Sequence, residues 1–263
     1  MSIRWLTVFL DLPAAGFEPA ERFWLEVTAG RRSARRGPDG EFCTVLPAHG
    51  DAYLRIQRVR EGIGGRHLDL HIDLDAEALA DVATRASALG ARVRHVEEGL
   101  TVLDSPGGFT FCLVRWDGES TVPDPIQLDV GGPNRLDQLC LDIPPDRFEA
   151  ECSFWSSLTG WTLRPGVLPE FAYLERAAGM PIRLLLQRRA EAEPGDRVSA
   201  HVDLECADVP ALAERHVAAG ARVLGRFAHW TAMVDPDGQP YCLTVRDPVT
   251  GATRRNPAPG SST

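Results

Sequence analysis

The sequence predicts an α+β fold in which one β-α-β-β-type plan is used four times, twice in each of two similar halves. Three observations carry that prediction. Short marks recur in the same order at nearly one offset: Gly90-Ala91-Arg92-Val93 returns as Gly220-Ala221-Arg222-Val223, and Phe23-Trp24 returns as Phe154-Trp155. Phe111-Cys112-Leu113 returns as Tyr241-Cys242-Leu243 at the same spacing. A repeat that spans half the chain is a domain rather than a solenoid unit. The second observation is Arg66-His67-Leu68-Asp69-Leu70-His71-Ile72-Asp73-Leu74, where polar and apolar residues alternate strictly. Alternation is the period of a strand, so His67, Asp69, His71 and Asp73 share one face, which has to meet water or a ligand rather than a dry core. His201-Val202-Asp203-Leu204 echoes it in the second half. The third observation is helical spacing, with Ala20, Phe23, Trp24 and Val27 in the first half and Phe148, Cys152, Trp155 and Leu158 in the second.

Taken in order, Trp5–Leu12 is β-rich and is halted by Pro13. Phe17–Thr28 reads as an amphipathic helix with Pro19 in its first turn and Gly30 just past its end. Strands follow at Glu41–Leu46 and Asp51–Val59, with a weak signal for another among residues 31–40. Gly62-Ile63-Gly64-Gly65 is a connector that lacks the context of a dinucleotide fingerprint. The strand at 66–74 leads to a helix at 76–89, then to strands at Arg92–His95, Thr101–Leu103 and Phe109–Trp116. Asp104-Ser105-Pro106-Gly107-Gly108 makes the last turn.

The second half predicts strands at Leu136–Ile143, Phe171–Glu175, Ile182–Gln187, Val198–Glu205, Ala232–Val234 and Tyr241–Arg246. Its helices fall at Arg147–Thr159 and Val209–Ala219. The resulting domains are 1–118 and 134–247, joined by a Pro/Gly-rich linker at 119–133. A Pro/Gly/Ser/Thr-rich tail at 248–263 is expected to be disordered.

Composition narrows the function. The 263 residues are 44% hydrophobic and 25% charged, ordinary globular values, with a net charge of −9 that disfavours nucleic acid and anionic membrane as partners. All 28 basic residues are arginine. A chain without lysine has no Schiff-base, pyridoxal-phosphate or P-loop lysine chemistry, and its Ala/Arg/Gly/Pro bias suggests a GC-rich bacterial source. Arg31, Arg32, Arg35 and Arg36 read as a solvated loop. The six cysteines form no C-x-x-C pair and sit in apolar surroundings, which predicts buried thiols in a reducing cytoplasm. No secretory leader or membrane span is expected.

These residues resemble the vicinal oxygen chelate superfamily of glyoxalases, extradiol dioxygenases and bleomycin-resistance proteins. The resemblance rests on the repeated strand opening with His-x-Asp-Leu, the helix ending in Gly-Ala-Arg-Val, and the terminal hairpin Asp235-Pro236-Asp237-Gly238 leading to Tyr241-Cys242-Leu243. Phe111-Cys112-Leu113-Val114 and Tyr241-Cys242-Leu243 are similar to the glyoxalase-like branch. The resemblance implies tandem βαβββ modules forming two glyoxalase-like domains, with curved sheets enclosing a cup and helices outside.

Carried over position by position, the ligand-binding set it implies is Gln138, Gln187, His201 and Cys242 in the second half. In the first half it is Thr7, Gln57, Cys112 and either His67 or His71, with Asp69 between the two histidines. Counting back from Gly90 favours His71, whereas the longer motif favours His67. Metal-using relatives generally carry glutamate where this chain has Cys112 and Cys242, and hard divalent ions prefer carboxylate and imidazole to amide and thiol. No cofactor is therefore expected. A divalent metal, if bound, would sit on His201 with Gln138 and Gln187, or on His67 with Gln57.

Trp24 and Trp155 read as core residues, His216 as an exposed helix residue, and His49, His95 and His229 as histidines without a visible partner. Asp69 beside His67 or His71 is a candidate base with its orienter. Three functions remain open: a metal-independent binder of a small organic, aromatic or natural-product ligand; a metal-dependent lyase, isomerase or dioxygenase; or a protein-interaction module with a degenerate cup. The expected protein is a cytoplasmic monomer or homodimer.

Overall fold

A computed structural model describes residues 3–60, 62, 64–74 and 78–252. Among these residues the chain forms two eight-stranded sheets and four α-helices. The first half runs β1 (Ile3–Pro13), α1 (Phe17–Val27), β2 (Arg31–Arg32), β3 (Phe42–Leu46), β4 (Leu54–Val59), β5 (Gly65–Ile72), α2 (Leu79–Ala88), β6 (Arg92–Glu97), β7 (Leu100–Asp104) and β8 (Thr110–Arg115). The second half runs β9 (Asn134–Ile143), α3 (Phe148–Thr159) after a 3-10 turn at Pro145–Arg147, β10 (Leu163–Pro165), β11 (Phe171–Leu174), β12 (Arg183–Arg188) and β13 (Ser199–Cys206). It closes with α4 (Val209–Ala218), β14 (Arg222–Arg226), β15 (Trp230–Val234) and β16 (Pro240–Thr244).

The strand order β2-β3-β4-β1-β5-β8-β7-β6 is repeated as β10-β11-β12-β9-β13-β16-β15-β14. In each sheet two parallel pairs, β1 with β4 and β5 with β8 or their counterparts, are joined by one antiparallel central pair. The α+β class and the doubled module are thus as the sequence predicts. Two short edge strands, β10 and β14, were not predicted. Both are mostly exposed, and β14 is interrupted by Gly225 and a register shift, so neither has the alternation that marks a strand. The predicted start of α2 and most of the tail lie outside the described residues.

Alternation decides which face is dry. Leu6, Val8, Leu10 and Leu12 of β1 are fully buried under the helices, as are Leu68, Leu70 and Ile72 of β5, while Phe9, Asp11, His67 and Asp69 point to the concave side. Leu139, Leu141, Leu186, Val202 and Leu204 repeat the arrangement.

The halves are locked by their helices. Phe23 and Trp24 of α1 pack on Tyr241 of the second half with centroids 5.8 and 5.3 Å apart, and Trp24 Nε1 donates to Asp235 Oδ2 at 2.9 Å. Reciprocally, Phe154 and Trp155 of α3 pack on Phe111 of the first half at 5.8 and 5.2 Å. Glu151 accepts from Trp155 Nε1, Ser105 Oγ and the Gly107 amide. Both tryptophans are core residues, as expected.

His216 is a correction: it is fully buried, not exposed. It lies edge-on to Phe23, with Nδ1 2.9 Å from the Tyr241 hydroxyl, because the face of α4 that looks solvated in one half is covered by α1 of the other. All six thiols are free; five are buried and Cys242 is half-buried. Among the described residues no helix is long and apolar enough to cross a membrane.

Candidate functional site

The concave side of the second sheet gathers Gln138, Gln187, His201 and Cys242 around one cavity of about 170 Å³. Strand register brings them together: Gln138 lies opposite Asp203, His201 opposite Cys140, Gln187 beside Asp142, and Asp203 beside Cys242. Sequence reasoning missed much of what surrounds them. Arg183 sits on β12 in phase with Gln187, Arg246 follows β16, and Phe171, Tyr173 and Trp230 supply aromatic walls.

The polar groups are committed to one another in a defined pattern. His201 directs Nδ1 to Asp142 Oδ2 at 2.7 Å and Nε2 to Asp203 Oδ1 at 3.3 Å, so each ring nitrogen faces a carboxylate. Burial disfavours the imidazolium, yet the charges of Asp142 and Asp203 and the hydrogen bond to Asp142 outweigh it and hold the pKa well above the usual histidine value. Gln138 donates through Nε2 to Asp203. Its Oε1 accepts from Arg183 Nε at 2.7 Å, from Arg183 Nη2, and from Arg246 Nη1 at 3.4 Å.

Arg246 in turn pairs with both oxygens of Asp137, at 3.0 and 2.8 Å. Burial and the Asp137 charge push Glu205 up to about 7, against the pull of Arg246 and Arg135. The Cys140 thiol donates to Gln187 Oε1 at 3.6 Å. Burial raises the pKa of both Cys140 and Cys242, which keeps them as neutral thiols near pH 7.

The first-half cup repeats part of this. Gln57, His67, Asp69 and Cys112 line it, with Phe9, Asp11 and Arg55. His67 Nδ1 lies 2.7 Å from Asp11 Oδ2 and its ring stacks on Phe9 at 4.1 Å. Asp69 sits opposite Thr7 and beside Cys112, as Asp203 sits opposite Gln138 and beside Cys242. The matching histidine is therefore His67. Counting from the helix end failed because the stretch from Asp69 to Gly90 is longer than the equivalent stretch from Asp203 to Gly220.

His71 and Thr7 lie apart from the cavity. They are buried against each other, with Thr7 Oγ1 2.9 Å from His71 Nε2 and His71 Nδ1 3.2 Å from Glu119. The orienting partner of His67 is Asp11 across the sheet, while Asp69 pairs with Arg55 at 3.5 Å. The internal repeat carried a signal for this, since Leu10-Asp11-Leu12 returns as Leu141-Asp142-Ile143 at the offset of Phe23-Trp24 and Phe154-Trp155. Among the clustered arginines, Arg32 and Arg35 pair with Glu21, and Arg36 lines the first cup.

Among the described residues, three clusters bring imidazole, carboxylate and thiol ligand atoms within 4.8 Å of one another: His67, Asp69 and Cys112; Cys140, Asp142 and His201; His201, Asp203 and Cys242. Such a set suits a borderline-soft ion such as Zn²⁺, provided that thiol and imidazole both lose a proton. It does not fit a hard divalent ion. The amide oxygen of Gln138 already accepts from two guanidiniums, which would face an added cation, and both nitrogens of His201 are engaged.

A glyoxalase-like domain model matches residues 7–114 and again 138–244. No curated protein matches the sequence. Among solved structures, the Mn(II)-bound glyoxalase from Novosphingobium aromaticivorans superposes with a TM-score of 0.63 at 16% identity, covering 98% of this chain and 87% of that one. The 2,2',3-trihydroxybiphenyl 1,2-dioxygenase of Sphingomonas wittichii RW1 gives 0.61 at 15%, covering 92% and 90%. The 2,3-dioxygenase LapB from Pseudomonas sp. KL28 gives 0.61 at 14%, covering 91% and 90%. At these identities the neighbours speak for the fold alone, whereas the domain match spans most of the chain. The protein belongs to the glyoxalase-like domain family of the vicinal oxygen chelate superfamily and carries that domain twice.

Proposed function

We propose that the second-half cup binds a small aromatic organic molecule without the help of a catalytic metal. The observation that carries this reading is the state of Gln138. At the first-strand position where metal-using relatives place a ligand, its oxygen is held by Arg183 and Arg246. Around it, Phe171, Tyr173, Trp230 and Leu185 give the apolar walls that small-molecule sites combine with a few placed polar groups. A ligand bound there replaces water on those groups.

The test is elemental analysis of protein purified without added metal, followed by a thermal-shift screen of aromatic compounds and titration of the hits. Substoichiometric metal, with binding weakened by Gln187→Leu, supports the reading. Close to one Zn, Fe, Mn or Ni per chain, lost on His201→Ala, refutes it. That result would favour the second reading, a metal-dependent lyase, isomerase or dioxygenase. The three imidazole–carboxylate–thiol clusters, and neighbours that include a Mn(II)-bound glyoxalase, support that alternative.

A further inference from the structure

Two guanidiniums line the second cup, those of Arg246 and Arg183, and the charges of Arg176 and Arg135 lie close by. Arg246 is bidentate on Asp137, Arg135 pairs with Glu205 at 2.8 Å, and Arg176 donates to the carbonyls of Asp137 and Pro181. Unlike Arg246, Arg183 forms no ion pair among the described residues (Arg176 forms none either, but does not line the cavity), and its only hydrogen-bond acceptor is the neutral Gln138 oxygen, reached through Nε and Nη2. Its plane lies over Tyr173, 5.2 Å from the ring centroid, and it lines the cavity. Nη1 has no hydrogen bond among the described residues.

The duplication shows that this cation is not a requirement of the fold. The first-half counterpart of Arg183 is Tyr53, one residue before Leu54, which pairs with Val8 as Leu184 pairs with Leu139. Tyr53 donates its hydroxyl to the Leu136 carbonyl. The first cup has its own inward arginine, Arg55, but Asp69 neutralises it at 3.5 Å. In the second cup Asp203, the counterpart of Asp69, is drawn to His201 and Gln138 instead.

Two further residues of the second cup, Gln187 and Trp230, also bring donors. Gln187 uses its oxygen to accept from Cys140, and neither its Nε2 nor the indole Nε1 of Trp230 has an acceptor among the described residues. A site that offers these three unpaired donors, one of them on a cation with no carboxylate partner, favours a ligand that brings acceptors and negative charge. Flat aromatic walls select a planar body.

Resting on the reading of this cup as a small-molecule site, we propose that its ligand is a planar aromatic carboxylate whose anionic head pairs with Arg183. Burial and the neighbouring Arg246 charge already push the Arg183 pKa down to about 10, and a bound carboxylate would relieve that cost.

The experiment titrates the full chain with 2-naphthoate and with the uncharged, near-isosteric 2-naphthamide, following tryptophan fluorescence and heat. The proteins are wild type, Arg183→Gln, Arg183→Lys and, as a first-cup control, Arg55→Gln. Naphthoate should bind wild type about tenfold more tightly than naphthamide, the scale of one charge-assisted pair. Arg183→Gln should abolish that preference by weakening naphthoate more than naphthamide, Arg183→Lys should keep part of it, and Arg55→Gln should leave it intact. Circular dichroism confirms that each variant is folded. Equal affinity for the two probes, or a preference that survives Arg183→Gln, overturns the anion assignment while leaving the cup a binding site. Failure of both probes at millimolar concentration, with no aromatic hit in the thermal-shift screen, overturns this proposal together with the binding reading.

Discussion

Acidification below pH 6.5 should destabilise this protein through one buried histidine, and replacing that residue should remove the sensitivity. His216 is fully buried where α1 of the first half covers α4 of the second. Nδ1 meets the Tyr241 hydroxyl at 2.9 Å, while Nε2 is buried without a partner. Burial, reinforced by the charge of Arg215, pulls its pKa down from 6.5 to about 3. A base whose folded pKa is depressed leaves stability intact above the unfolded pKa. Stability is then lost as pH falls, because the unfolded chain takes up a proton that the folded chain refuses.

Between pH 6.5 and 4.5 the loss comes to about 2 kcal/mol. His216→Phe keeps the aromatic packing and removes the titration, while the orphaned Tyr241 hydroxyl costs about 1 kcal/mol at every pH. Urea unfolding of both proteins from pH 7.5 to 4.5 measures the difference. The variant should start less stable and finish more stable than wild type. Parallel profiles would show that the imidazole is solvated or already charged, and the reasoning would fail.

Three further outcomes are expected. Glu151→Ala leaves Ser105 Oγ, the Gly107 amide and Trp155 Nε1 without their acceptor between the halves, so urea unfolding should show a loss of about 3 kcal/mol, and less than about 1 would refute it. A thiol-reactive dye at pH 8 should modify Cys242 alone and slowly in the native protein, since the other five thiols are buried; fast labelling that survives Cys242→Ser would contradict the packing described. Gly64 has φ +74° and a Cβ there would stand 2.3 Å from the Asp11 carbonyl oxygen, so Gly64→Ala should cost about 1–3 kcal/mol and shift the His67 ring resonances in NMR, whereas an unchanged spectrum would refute the contact.

What the sequence made legible was whatever depends on period. Alternation along 66–74 and 199–206 separated the dry face from the cup face, and marks recurring at one nearly constant offset exposed the doubled plan. Helical spacing located α1 and α3 because their apolar stripes are wide. Contacts between distant segments were not legible. His216 looked exposed because its cover, α1, comes from the opposite half of the chain. Asp11 escaped notice because the residue nearest to His67 in sequence, Asp69, seemed the natural orienter. Neighbours on a strand share a face by construction, but a hydrogen bond needs the cross-strand register that only folding sets.

The two cups divide what holds the fold from what selects a ligand. Both place an aspartate on the first strand and a histidine on the fifth and join them at 2.7 Å, Asp11 to His67 and Asp142 to His201. Each couple bridges neighbouring central strands, and it persists although the rest of the cup has changed. Phe9 stands where Cys140 stands, Thr7 where Gln138 stands, Tyr53 where Arg183 stands, and Arg55 where Leu185 stands. A couple that tolerates so different a setting is accounted for as a strut between strands, and in the second half Asp203 occupies the other ring nitrogen as well. Selectivity then has to come from the positions that differ. In the first cup the difference closes on itself: Phe9 stacks on His67, and Arg55 is neutralised by Asp69. In the second the same exchange leaves a guanidinium without a carboxylate, facing an aromatic cavity. The histidine motif that dominates the sequence therefore marks where the cup is, and an arginine inside the unremarkable run Pro181-Ile182-Arg183-Leu184 marks what the cup can hold.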